Sequence, residues 1–462
     1  MQLKKDHGRM ILSHEAIGAV GGWRKHIRGG FGTLPVVVDS AKNAKITDTD
    51  GKEYIDFVAM YAVSNTGHAN PRIMAAVLEQ MLKAPVCNTS WINPFYVELA
   101  ARTCKTFEYD SITTMVTGSE AAEAAVKIAR KWAYLKKGLL EGEAWILTAD
   151  GCFHGLTLGT MALSNVKAEC PWIPSTGKLV EFGSVNDLRE ALEKDGHRIA
   201  AFMIEPIQGS AGVRVPPDGY LKAAAELCRK HNVLFIVDEV QTGFGRVGFK
   251  LAHHREPGVK PDMVILGKAL TGGNGGHYTI STSTEITLEQ KADLTPRSPG
   301  MYPMSMVMGT SEVMDVLSPW NVASTFAASH PACVAALTVL DIMEEEDLPA
   351  RSRRLGTVLY NALKRQNLPH ILEHRGKGCG LFQCLVIDES TPGVTARRVA
   401  ALCVHRGLMI GQSKNRIRLT PALTISEEDL LKGVEILAGA LRDVARVGEI
   451  PGEDFIFGNV PY

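Results

Sequence analysis

Two charged residues stand at matching places in one stretch of the chain. VLFIVDEVQTGFGR (233–246) ends an apolar run at Asp238, and PDMVILGKALTGG (261–273) places Lys268 two positions beyond a second run. Both runs, 233–237 and 263–266, have the length and β-branched content of buried strands. In an open α/β sheet, groups just past the carboxyl ends of strands line the ligand crevice. A lysine and a carboxylate there suit a pyridoxal phosphate site, which needs a Schiff-base lysine and an acidic partner for the pyridinium nitrogen. Most aspartates and lysines after strands are merely solvated, so the pair gains its meaning from the rest of the chain.

The elements that must position such a pair are visible around it. MVTGSEAAEAAVKIARKWAYLKKG (115–138) predicts a helix, with Thr117 and Glu120 at capping-box spacing and Gly138 able to close it. Ala121, Ala125, Ile128 and Trp132 make one apolar stripe. The Gly118-Ser119 turn at its start offers free N–H groups and a positive dipole end, an anion site in principle, though many helices start this way without one. A strand at 144–148 leads to Phe153-His154-Gly155, where the aromatic side chain covers a flat ring or simply fills the core beside a turn glycine. A strand from 200 ends at Glu205-Pro206, and a capped helix over 218–232 feeds the run at 233. Strand, helix and strand at these intervals imply parallel crossovers, hence one doubly wound, mostly parallel sheet over roughly 110–270.

Outside that sheet, 34–38 predicts a first strand, and Asp50-Gly51 sits in hairpin-turn chemistry between alternating segments. Tyr61 is a pocket wall or a packed aromatic. Residues 274–300 are polar, without sustained period, and read as a long loop. Strand and helix patterns resume at 301–309, 331–346 and 350–366. Beyond them 379–387, 394–407 and 415–423 alternate again, and a last helix carries Leu430, Val434, Leu437, Leu441 and Val444 on one stripe. The expected organisation is an N-terminal segment, 1–60, packing with a small α/β domain at 335–462, and a large domain at 61–334.

Composition narrows the class. The 462 residues are 45% hydrophobic and 22% charged with zero formal net charge, which fits a globular protein and favours neither nucleic acid nor anionic membrane as a partner. No apolar stretch approaches the ~20 residues that span a bilayer, and the N-terminus lacks a signal-peptide core, so a cytoplasmic location is the default. Nine scattered cysteines without C-x-x-C pairs read as buried thiols in a reducing compartment rather than as a metal site. His253-His254 likewise lacks companion ligands and is expected at the surface.

Together the motifs TGSEAAEAAVKIARKW, CFHG, AFMIEPIQG, LFIVDEVQTGFGR, PDMVILGKALTGG and STF resemble the class III (ω-type) pyridoxal phosphate (PLP)-dependent aminotransferases of fold type I, closest to ornithine aminotransferases. The resemblance covers about 31–442 and is interrupted at 274–300. It implies an α/β fold and transfer of an amino group from an amino acid or ω-amino donor to a 2-oxo acid, with 2-oxoglutarate expected. Lys268 would form the Schiff base and shuttle a proton, and Asp238 would keep the pyridine nitrogen protonated. Phe153 would stack on the ring, with His154 beside it in the same motif, and Gln241 would contact the phenolic oxygen. Gly118 and Ser119 would bind the phosphate. Thr325 would reach a phosphate in the partner subunit, which implies a homodimer. Glu205 matches an active-site glutamate, and Arg418 matches the arginine that grips a substrate carboxylate.

The same resemblance shows departures on the substrate side. Where ornithine aminotransferases have an aromatic hydroxyl, an arginine and a second glutamate, this chain has Phe31, Leu156 and Ser210, while Tyr61 is retained. The Gly-Gly after the STF turn is Ala327-Ala328. An altered donor pocket is the expectation. Other PLP reactions on this scaffold remain open: racemisation, an aminomutase step or decarboxylating transamination. The segment 274–300 is either a specificity loop or an artefact of the gene structure, and in the second case the product would be inactive.

Overall fold

The computed structural model describes residues 14–26, 36–84, 89–163, 179–272, 302–450 and Glu453; Phe31 and 274–300 lie outside them. In chain order the first strands are β1 (Val38–Lys42), β2 (Lys45–Asp48) and β3 (Glu53–Asp56). There follow β4 (Ser111–Met115), β5 (Trp145–Thr148), β6 (Ile199–Ile204), β7 (Leu234–Asp238), β8 (Met263–Leu266) and β9 (Ser305–Gly309). The last are β10 (Ile371–Arg375), β11 (Gln383–Ile387), β12 (Leu408–Met409), β13 (Gly411–Ser413) and β14 (Arg416–Leu419). The chain divides into a central unit, Ala76–Thr271 with Tyr302–Ala350, and a terminal unit built from the chain up to Ala75 and again from Arg351.

The central unit is organised on a six-stranded sheet in the order β4-β9-β8-β7-β6-β5. β5 to β8 run parallel, and β9 is antiparallel to both of its neighbours. Every residue of β6, β7, β8 and β9 is buried. Covered on both faces, these strands read as continuous apolar runs rather than alternating ones. One face packs on the helix Gly118–Trp132, whose Ala121, Ala125, Ile128 and Trp132 are all in the core, as the stripe predicts. The other packs on the helices Val185–Asp195 and Tyr220–Lys230. This is the doubly wound α/β sheet of the sequence reading.

The terminal unit holds two small sheets, β1-β2-β3-β12 and β10-β11-β14-β13. The β2–β3 hairpin turns at Asp50-Gly51, where Asp48 Oδ1 accepts the N–H groups of Asp50 and Lys52 and Gly51 takes φ 78°. The last helix, Glu427–Asp443, buries Leu430, Val434, Leu437 and Leu441, and its Gly433 lies on the Phe57 ring. A Cβ there would meet Phe57 Cε1 at 2.7 Å.

Three expectations shift. The first strand begins at Val38 instead of ending there, because its pairing is set by β2 rather than by the apolar LPVVV run. His14–His26 and Pro94–Phe107 are helices that periodicity did not flag, although Asn93 and Pro94 are N-cap and N1 residues by type. The units divide at 75/76 and 350/351, against the expected 60/61 and 334/335. The helix His330–Glu345 packs on Pro94–Phe107 and on the turn Lys268–Thr271, which keeps it with the central unit.

Candidate active site

β7 and β8 are adjacent and parallel, with Asp238 opposite Ile265. Asp238 is the last residue of β7; Lys268, two positions past β8, opens the turn Lys268–Thr271. Acid and lysine therefore leave the sheet at the same edge from neighbouring strands. Lys268 takes φ 44°, a left-handed backbone costing an L-residue about 1–2 kcal/mol. Such strain persists where the surroundings impose it, commonly at functional positions.

Asp238 is buried and doubly held. Its Oδ1 accepts the Val240 N–H at 3.0 Å, and its Oδ2 lies 2.7 Å from Nδ1 of His154, in the loop after β5. Burial alone would lower the His154 pKa, but the Cys152 sulfur and the Asp238 carboxylate beside it hold it well above the ordinary imidazole value. Glu205, after β6, completes the group. Its carboxyl accepts the Phe153 N–H at 2.9 Å and the Gly209 N–H at 3.3 Å. Burial pushes the Glu205 pKa up to about 7, against the lowering effect of His154 and those two N–H groups.

The start of the helix Gly118–Trp132 closes this group. Thr117 and Glu120 form the predicted capping box, and Ser305 Oγ donates to Thr117 O at 2.6 Å. A Cβ on Gly118 would stand 3.1 Å from Val240 Cγ1, so the helix start and the loop after Asp238 touch only because residue 118 has no side chain. Ser119 Oγ accepts the Leu156 N–H at 3.4 Å.

The structure thus joins Asp238, His154, Phe153 and Glu205 directly, and brings Gly118 and Ser119 to them through Val240 and Leu156. Gln241 and Ser210 are half-buried in the loops after β7 and β6, next to Val240 and Gly209. Leu156 and Thr325 are exposed.

In the terminal unit, Arg418 lies on β14, opposite Cys384 of β11 and Gly411 of β13. Its guanidinium carbon sits over the Tyr61 ring, 5.1 Å from the centroid. Burial pushes the Tyr61 phenol pKa up, against the Arg418 charge, so the ring stays neutral. Phe31 lies outside the described residues. The sequence expectation for His253 is overturned. It is 2% exposed, with Nδ1 2.9 Å from Oε1 of buried Glu239, because the turn Ala252–Arg255 folds it inward over the start of the loop that follows Asp238.

The family described as aminotransferase class III matches residues 29–292 and 296–441, so the match runs through most of 274–300 and leaves out only 293–295 there. The chain belongs to the class III aminotransferases. It is 37% identical over 445 residues to an ornithine aminotransferase of Emericella nidulans, covering 94% of this chain and 91% of that protein. A mitochondrial ornithine aminotransferase of Arabidopsis thaliana is 39% identical over 417 residues, 88% of this chain and 81% of that one. The crystal structure of the ornithine aminotransferase of Toxoplasma gondii ME49 superposes with a TM-score of 0.83 at 31% identity, over 93% of this chain and 96% of that one. The protein is a PLP-dependent transaminase of fold type I, similar to ornithine aminotransferases, and its substrates are an amino donor and a 2-oxo acid.

The residues present fit the cofactor. A half-buried lysine, a buried carboxylate paired with a histidine, and a helix start that a single Cβ would crowd are what a ring with a basic nitrogen and a phosphate requires. No helix among the described residues is long and apolar enough to cross a membrane.

Proposed function

We propose that this transaminase moves an amino group from an amino acid or ω-amino donor to 2-oxoglutarate, through a donor pocket unlike that of ornithine aminotransferases. The observation that carries the acceptor is Arg418, held beneath the Tyr61 ring. A planar fork of N–H donors suits a carboxylate bidentately. The motif resemblance matches Leu156 and Ser210 to charged positions of ornithine aminotransferases, and a donor held by such charges would lose them here. When bound, the cofactor supplies an electron sink for the charge left on the donor's reacting carbon.

The chain's own residues divide the remaining work. Lys268 Nζ would take the proton from the carbon that bears the donor's amine. Asp238 holds a proton on the cofactor's ring nitrogen, its carboxylate fixed by His154 and the Val240 N–H. Phe153 would cover the ring, Gln241 would reach its phenolic oxygen, and Gly118 and Ser119 would take the phosphate.

A homodimer completes this reading, with Thr325 serving the partner's phosphate. Its support is the exposed apolar surface around that residue. Trp91, Ile92, Trp320 and Phe326 are 65–91% exposed, and Asn93 Nδ2 ties the first loop to Ala328 O at 2.8 Å. Patches of this kind mark interfaces. A cytoplasmic location is proposed from the cysteines, of which the seven among the described residues are all free; cell fractionation tests it.

The test of function is a screen of amino donors against 2-oxoglutarate, with glutamate formation as readout. Turnover with at least one donor that Lys268→Ala abolishes is expected. Glutamate formation with none of them, or racemised or decarboxylated donor in its place, would overturn the assignment.

A further inference from the structure

Four consecutive residues with side chains, Ala59, Met60, Tyr61 and Ala62, take φ of 43°, 52°, 61° and 68°. They form one turn of left-handed helix, a conformation in which each Cβ crowds the following carbonyl. No glycine relieves it. A turn of this kind persists only where its surroundings over-determine it.

The surroundings are specific. Asp56, at the end of β3, is 2% exposed, and its Oδ1 accepts the N–H groups of Val58 at 2.7 Å and Ala59 at 3.0 Å. Its Oδ2 lies 2.8 Å from Nε2 of His68, itself 4% exposed. The far end closes on Ala59 O, which accepts from Val63 at 2.8 Å and Ser64 at 3.0 Å. Thr420, two residues past Arg418, donates its N–H to Phe57 O at 2.8 Å and its hydroxyl to Val58 O at 2.9 Å. The strand that bears Arg418 and the residues that enter the turn are therefore fastened to each other. Between those fastenings, Tyr61 meets the guanidinium.

We propose that Asp56 and His68 are positioning residues for substrate recognition: they hold the left-handed turn that lays the Tyr61 ring against Arg418. This rests on the reading of Arg418 as the group that takes the substrate carboxylate. An aromatic face orients a guanidinium without using its in-plane N–H donors, which a carboxylate needs. A connector between β3 and the helix Pro71–Lys83 could be made without strain. What the left-handed turn adds is the placement of Tyr61. An arginine ordered in advance loses less rotamer freedom when its ligand arrives.

The test compares KM for 2-oxoglutarate with turnover in the full-length holoenzyme. His68→Ala should raise KM roughly 3- to 10-fold, the weight of one long side chain left to be ordered on binding, with turnover within about twofold of wild type. His68→Gln, whose Nε2 can still donate to Asp56, should restore KM. Tyr61→Leu should raise KM comparably, and His68→Ala added to it should change KM less than about twofold, since the two act through one contact. A His68→Ala variant that loses only thermal stability, or whose effect on KM survives in the Tyr61→Leu background, would overturn the proposal. Arg418→Ala separates the layers. An unchanged KM there removes the role of Arg418 and the proposal with it, whereas a raised KM with His68→Ala silent removes the positioning alone.

Discussion

His154 Nδ1 and Asp238 Oδ2 lie 2.7 Å apart, both side chains buried, across 84 residues of sequence. One comes from the loop after β5 and the other from the end of β7, two strands away in the sheet. The pair makes Asp238 a directed group. With Oδ1 occupied by the Val240 N–H and Oδ2 by His154, the carboxylate is locked in one orientation.

Removing that partner should weaken the acid's hold on the cofactor. His154→Leu leaves a buried carboxylate with one charge-assisted hydrogen bond fewer, worth about 1.5–3 kcal/mol, so kcat/KM should fall on the order of 10- to 100-fold. His154→Asn, whose Nδ2 can occupy the place of Nδ1, should recover part of the loss. Steady-state kinetics with PLP in excess read this out, and a His154→Leu enzyme of wild-type efficiency would sever the pair from catalysis.

Glu205 gives a pH dependence of stability. Its carboxyl is displaced from 4.5 to about 7 by burial, so the folded protein favours the protonated form. The folded value lies above the unfolded one, so the contribution is fully present below about pH 4.5 and is lost as pH rises through about 7. That span corresponds to roughly 3 kcal/mol. Glu205→Gln should flatten the unfolding free energy between pH 5 and 8 relative to wild type, whatever its absolute stability. Parallel curves for the two proteins would mean that Glu205 is ionised throughout.

Much of this site is legible in the chain, and what is hidden follows a physical pattern. Asp238 ends one continuous apolar run and Lys268 follows another by two positions, because their strands are buried on both faces, and Thr117 and Glu120 announce the helix Gly118–Trp132 by local spacing alone. These signals depend on neighbours in sequence. The His154–Asp238 pair depends on strand order, and parallel crossovers do not encode that order locally. The left-handed turn at Ala59–Ala62 is hidden for the opposite reason. Its residue types argue against it, and only Asp56, His68 and Thr420 impose it. The burial of His253 is hidden as well, because a histidine pair at a turn carries no sign of the buried carboxylate 14 residues earlier.

Arg418 separates charge from geometry. Arg418→Lys keeps a cation but loses the planar fork and most of the stacking on Tyr61. KM for 2-oxoglutarate should rise by about tenfold or more, the scale of one charge-assisted hydrogen bond, while a 2-oxo acid without a second carboxylate should be affected less. Measuring both acceptors in one variant decides the matter. Equal losses would place Arg418 away from the distinguishing carboxylate.

The last test concerns the support behind Asp238. Glu239 is fully buried, and its Oε1 accepts both the His253 N–H and a bond from the His253 ring, each at 2.9 Å, while Oε2 accepts the Thr242 hydroxyl. Burial would raise its pKa, but these partners hold it below the ordinary carboxylate value. Its stabilising contribution is therefore present at neutral pH and lost as pH falls through that lowered value. His253→Ala leaves a buried charge short of its main partner, a change that costs about 3–5 kcal/mol when a buried pair is broken. Thr242→Val removes a single hydroxyl and should cost about 1–3 kcal/mol. Since Glu239 follows Asp238 directly and closes the Glu239–Gly243 turn through its own carbonyl, His253→Ala should also weaken PLP retention. Chemical denaturation and cofactor release on dilution measure the two effects. A destabilised His253→Ala protein that keeps PLP as tightly as wild type would show that the cluster braces the fold without bracing Asp238.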